Sequence, residues 1–206
     1  MNSSTMRPLF ALAACLPLCG CLNLRPAPST ARYFVLTPVP NSPQSSAQHL
    51  PVGVGPVKLP DYLFKNSLAL RKSTNEVEYL ENDVWAEALP NGVQRVLAAN
   101  LAALLPTDQV RLSAWRPEDV ACGVYVTVER FDVDTSGRGE LVAWWRVVSP
   151  SGGKLLKAGQ FRGSRQGAAP QANPPGAAAT LSALLADLSR ELASAIKDSV
   201  TRAGSS

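Results

Sequence analysis

Few side chains in this 206-residue sequence have the chemistry for covalent or acid-base work, and four cysteines and one histidine are the first to consider. Three of the four cysteines, Cys15, Cys19 and Cys21, lie within the first 21 residues, and only Cys122 belongs to the body of the chain. A single body thiol excludes an intramolecular disulfide framework, so stability must come from a hydrophobic core. Cys122 has no histidine near it and opens a β-rich run, the pattern of a buried structural thiol rather than a nucleophile. His49 follows a stretch of Ser, Gln and Pro and reads as a solvated residue, not the base of a triad. The sequence has no Gly-x-Ser-x-Gly elbow, no Walker loop and no pair of metal-ligand histidines. Gly53-Val-Gly55 opens like a dinucleotide fingerprint but lacks the third glycine and runs into Pro56, so it reads as glycine within a strand. The expectation is a non-enzyme with no catalytic residue, no metal site and no cofactor.

The remaining polar and aromatic clusters have bland readings. Asp132 and Asp134 alternate with apolar neighbours near a strand end and are expected to face solvent. The acidic run Glu76, Glu78, Glu81 and Asp83 reads as a solvated face. Of Trp85, Trp115, Trp144 and Trp145, most are expected in the core, with Trp115 before Arg116-Pro117 the one to be exposed. A net charge of +4 and a pI near 9.0 on only 17% charged residues do not make a nucleic-acid footprint. At 206 residues and 46% apolar, the chain supports one ordinary core.

The amino-terminal cysteines follow a leader. Met1 to Arg7 is weakly positive, Pro8 to Leu18 is apolar, and Cys19-Gly20-Cys21 closes it. The run is shorter than the roughly 20 apolar residues a membrane-spanning helix needs. Leu18-Cys19-Gly20-Cys21 resembles the lipobox of bacterial lipoproteins, whose cysteine receives diacylglycerol before cleavage. Leu12-Ala13-Ala14-Cys15 fits that pattern better as letters, but leaves only seven residues after Arg7 for the apolar region. Residues 1–20 are therefore expected to be a cleaved signal peptide, with lipid on Cys21 and Cys15 as the competing position. Leu22, where an Asp would resemble inner-membrane sorting, points to the periplasmic face of the outer membrane.

The elements that follow must position everything else. Residues 21–31 form a lipidated, Pro-containing tether, about 30 Å long if extended. Residues 32–203 are expected to form a single α+β domain, mainly an antiparallel sheet with two amphipathic helices packed on it. Strands are predicted at 32–37, 52–57 and 109–112, and a hairpin joins 68–71 to 76–80. Glycine-bearing turns separate a meander of three strands at 123–134, 140–149 and 154–163. In the first of these the apolar phase jumps from Val124, Val126 and Val128 to Phe131 and Val133, which a β-bulge would produce. Leu141 to Val148 is apolar on both faces and should be central. The helices are predicted at about 90–105, with Pro90 in the first turn, and 178–201, led by Leu181, Leu184, Leu185, Leu188, Leu192 and Ile196. Asp83 to Leu89 reads as an additional helical turn before Pro90.

Three stretches carry a family resemblance. Val52-Gly-Val-Gly-Pro-Val-Lys-Leu-Pro-Asp-Tyr-Leu63, Trp85-Ala-Glu-Ala-Leu89 and Gly92-Val-Gln-Arg-Val-Leu-Ala-Ala-Asn-Leu101 resemble the paraquat-inducible C-type lipoproteins, auxiliary lipoproteins of MCE-type lipid transport systems. The resemblance spans approximately residues 32 to 200, and the chain departs from it in placing its proline at Pro90. It implies an auxiliary component of an ABC-type intermembrane phospholipid transport system that docks a periplasmic MCE assembly to the outer membrane. The implied partners are an MCE-domain protein, inner-membrane transporter components, the membrane itself, phospholipid and further copies of the chain, with no nucleic acid. Asp61, Tyr62 and Leu63, just after Pro60, are the expected contact patch. Two rivals stay open: a lipid-binding periplasmic chaperone, and an assembly lipoprotein of another envelope machine.

Overall fold

The computed structural model describes residues 29–40, 50–107, 109–112, 115–150 and 152–203. The leader, Cys15, Cys21, most of the tether and His49 lie outside the described residues. In chain order the elements are β1 (Arg32–Phe34), β2 (Val52–Val54), β3 (Ser67–Ser73), β4 (Glu76–Trp85), α1 (Leu89–Leu104), β5 (Val110–Leu112), β6 (Cys122–Asp134), β7 (Arg138–Val148), β8 (Leu155–Gln166) and α2 (Pro174–Ala203). Short 3-10 turns occur at Asp61–Leu63 and Pro117–Asp119.

Both helices form where the apolar spacing requires. In α1, Leu89, Val93, Val96, Leu97 and Leu101 are buried along one stripe, and Pro90 sits in the first turn, where a missing N–H costs nothing. In α2, Leu184, Leu185, Leu188, Leu192 and Ile196 have no exposed surface. This helix lies on β6, β7 and β8, while α1 packs on β2 and β5, and the two helices touch. Between them Asn100 Nδ2 donates to Ser189 Oγ at 3.0 Å, and Asn100 Oδ1 accepts from the backbone N–H of Val39 at 2.8 Å. Ser182 Oγ likewise accepts from the N–H of Thr37, and Arg95 donates to the carbonyl of Leu36. Residues 36–39, which have no strand partner of their own, are thereby fastened across both helices by side chains.

Among the described residues, all eight strands belong to one sheet. It is mixed rather than mainly antiparallel. The expected hairpins β3–β4, β6–β7 and β7–β8 are antiparallel, but β1 runs parallel to β4, β2 to both β5 and β6, and β3 to β6. Each parallel pair joins strands far apart in sequence, which two-residue periodicity cannot reveal. The 13-residue β6 is the spine of the sheet. One edge pairs with β7 along its length, while the other is shared between β2, beside Cys122 to Val124, and β3, beside Val133 and Asp134.

The predicted bulge is present: the β6–β7 register shifts between Val128 and Arg130, whose partners are the adjacent residues Ala143 and Val142. The shift restores Phe131 and Val133 to the helix-covered side that Val124, Val126 and Val128 already occupy. The strand β7 lies between β6 and β8, as its two apolar faces suggested. Asp83 to Leu89 is not an extra helical turn. Asp83, Val84 and Trp85 continue β4 and pair with Arg32, Tyr33 and Phe34 of β1, and the burial of Trp85 holds the segment extended. Asp83 is also not solvated with its acidic neighbours; it is buried and paired with Arg32 at 2.8 Å.

Candidate functional site

Because both helices pack on one side, the opposite face of the sheet carries the side chains available to a partner. Alternation along β6, β7 and β8 sends Tyr125, Thr127, Glu129, Trp144, Arg146, Ala158, Gln160 and Arg162 there, while Trp145 points to α2 and donates to Glu191 at 2.6 Å. A groove of about 360 Å³ opens on this face, lined among others by Pro56, Lys58, Tyr125, Thr127, Trp144 and Arg146. The guanidinium of Arg146 stands 4.9 Å over the Tyr125 ring. Trp144 is 50% exposed, against the expectation of core burial, and its indole N–H donates to Glu129 Oε1 at 2.7 Å.

Aromatic rings lie close over the backbone at Gly53 in β2 and at Gly55 just beyond it. Gly53 pairs with Gly123 of β6, and Trp115 lies across both backbones: a Cβ on Gly53 would sit 2.3 Å from its Cε2. Tyr125 occupies the same position over Gly55 and meets Trp115 at 6.3 Å between ring centres. Trp115 is therefore half-buried on the sheet rather than exposed. The reading of Gly53 as a strand glycine holds, while Gly55 lies one residue past β2 with its N–H bonded to the Val124 carbonyl, and at both the reason for glycine is close aromatic approach.

Farther along β6 the same side of the sheet holds a charge cluster. Asp132, expected in solvent, is 1% exposed. Its Oδ2 accepts from Tyr62 Oη at 2.9 Å and from Arg71 Nη2 at 2.6 Å, and its Oδ1 accepts from Arg130 Nε at 3.0 Å. Arg130 reaches on to Glu140 at 2.5 Å. The alternation that suggested exposure was correct about the side of the sheet; the 3-10 turn at 61–63 then folds over that side and covers it. Burial first, and then the charge of Asp132, push the Tyr62 hydroxyl up to about 12. The hydrogen bond to Asp132 strengthens the hold of Arg71 on its proton.

The expected contact patch is thus split. Asp61 is exposed, Tyr62 is half-buried on Asp132, and Leu63 is in the core at 3% exposure. Phe64, next in sequence and unremarked by pattern, is 59% exposed. Cys122 is wholly buried, which pushes its thiol up to about 11. Among the described residues there is no group of three or more His, Cys, Asp or Glu placed to hold a metal, and no helix long and apolar enough to cross a membrane.

Two solved structures resemble this one over nearly their whole length. Protein XCC0632 from Xanthomonas campestris superposes with a TM-score of 0.71 at 13% identity, covering 85% of this chain and 100% of its own. An uncharacterized protein superposes at 0.64 with 22% identity, covering 81% of this chain and 99% of its own. At such identities the likeness speaks to the fold alone. No curated protein matches the chain. The model of the ABC-type transport auxiliary lipoprotein component family matches residues 34–193, and the chain belongs to that family.

Proposed function

We propose that the chain is cleaved before Cys21, lipidated there, and held at the periplasmic face of the outer membrane, where its domain docks a periplasmic MCE assembly of an intermembrane phospholipid transport system. The family match over residues 34–193 carries this reading: an auxiliary lipoprotein of ABC-type transport implies a membrane anchor and a non-enzymatic role beside transporter components. Each buried methylene contributes about 0.8 kcal/mol, so the two or three chains of a mature lipoprotein hold it durably where one would not. Support for docking through the 61–63 segment comes from its placement. Asp61 and Phe64 are exposed, and the turn presenting them is fixed from beneath by the Tyr62 to Asp132 hydrogen bond.

Crosslinking of the tagged, lipidated protein in native envelopes, followed by identification of the adducts, tests the proposal. An MCE-domain protein is the expected partner, with recovery reduced by Asp61→Lys combined with Phe64→Ala. Repeated failure to recover any MCE-domain protein, with the bait intact and membrane-bound, would remove the docking role.

A further inference from the structure

Most arginines of the domain are tied to carboxylates, as Arg71 and Arg130 are to Asp132 and Arg165 is to Asp187. Around the groove this changes. Among the described residues Lys58, Arg146 and Arg162 form no ion pair, and Arg146 rests on a ring while Arg162 bonds the neutral Gln160. On the same face Glu129 is engaged by the Trp144 indole and by Gln160, and Glu140, farther along β7, by Arg130 and Arg138. Three cations and a half-exposed tryptophan therefore share a face that neither helix covers.

We propose that this face rests on the headgroup layer of an anionic phospholipid membrane, with Trp144 and Tyr125 in the interface and Lys58, Arg146 and Arg162 against lipid phosphates. Indole and phenol rings with one apolar and one polar end favour that depth, and clustered basic side chains add attraction to anionic lipid. The tether makes the contact reachable. It enters at β1, the edge strand beside β4, where Thr30 donates to Asn82. From β1 to β7 is four ladder steps, through β4, β3 and β6, or about 20 Å at ~4.8 Å each. Residues 22–31 extend to roughly 30 Å, so a lipid on Cys21 lets this face lie down on the bilayer. The inference rests on the membrane-anchored reading above, but not on the identity of the protein partner.

The test uses the chain from residue 21 with Cys21→Ser, which retains every described residue and carries no acyl chain. It is sedimented with vesicles of phosphatidylcholine alone, or of phosphatidylcholine with about a third phosphatidylglycerol. Binding is expected only to the anionic vesicles, weakening with salt, and brominated lipid should quench the fluorescence of the chain but not that of Trp144→Phe. Lys58→Glu with Arg146→Glu should lower partitioning about tenfold or more. Lys157→Glu with Arg190→Glu, an equal charge change on the helix side, should not. Absence of binding to anionic vesicles, equal loss in both pairs, or full quenching in Trp144→Phe overturns the proposal. If the Lys58 and Arg146 pair fails to fold, the salt and quenching results still decide. Because no acyl chain is present and no partner protein is added, this outcome is independent of the envelope crosslinking.

Discussion

The hydroxyl of Tyr62 donates to Oδ2 of Asp132 across 2.9 Å, tying an exposed turn to the middle strand of the sheet. The same carboxylate takes Arg71 and Arg130, so it is buried with its charge met on both oxygens. Removing one partner of such a set leaves the others buried without compensation. Asp132→Asn is expected to destabilise the domain by about 3 kcal/mol, and Tyr62→Phe by about 1 kcal/mol, in urea unfolding. Equal, small effects from both would show that the cluster is surface decoration.

The Tyr62 hydroxyl also gives the fold an alkaline limit. Its pKa is raised to about 12 in the folded state from an ordinary 10.0, so the folded state holds the proton more tightly than the unfolded one. The stabilisation is complete below pH 10 and is lost as pH rises through 12. Unfolding midpoints measured across that window should fall for the unaltered chain, and less steeply for Tyr62→Phe. Parallel curves would assign the alkaline loss to other groups.

The contact of Trp115 with Gly53 is steric and has a clear signature. Gly53→Val would drive a side chain into the indole, and overpacking of this kind costs about 1–3 kcal/mol. Trp115→Ala should recover part of that loss in the double variant, while in isolation it removes the ring packed against Tyr125. Thermal unfolding of the four species forms a complete cycle, and strict additivity would show that the two residues do not meet.

Asn100 joins α1, α2 and the 36–39 segment through Ser189 and the Val39 N–H. Asn100→Ala leaves the Val39 N–H without its acceptor and removes the bond accepted by Ser189, whose hydroxyl still donates to the Leu185 carbonyl, a loss of about 1–3 kcal/mol. Hydrogen exchange at the Val39 amide should accelerate more than at the core amides of β6 and β7. Uniform acceleration would mean global loosening instead.

The Cys21 assignment predicts a mature amino terminus that begins with a lipidated Cys21 peptide in mass spectrometry, and loss of that lipidated peptide in Cys21→Ser. A lipidated peptide starting at Cys15 would transfer the anchor to the competing position.

Local pattern sufficed for much of this protein. The stripe of leucines fixed α2, the proline after Leu89 fixed the start of α1, and the phase jump between Val128 and Phe131 marked the bulge, because each depends on residues within a few positions of one another. The family match was legible too, in Val52 to Leu63 and the stretches around Trp85 and Gly92. Tertiary structure decided the parallel pairings, since β2 meets β6 only when the chain folds back across the 70 positions that separate Val52 from Cys122. It also decided the fate of Asp132, Trp115 and Trp144. A strand residue's alternation tells which side of the sheet it takes, but whether that side is water, a covering turn or an open groove depends on what the distant chain lays over it.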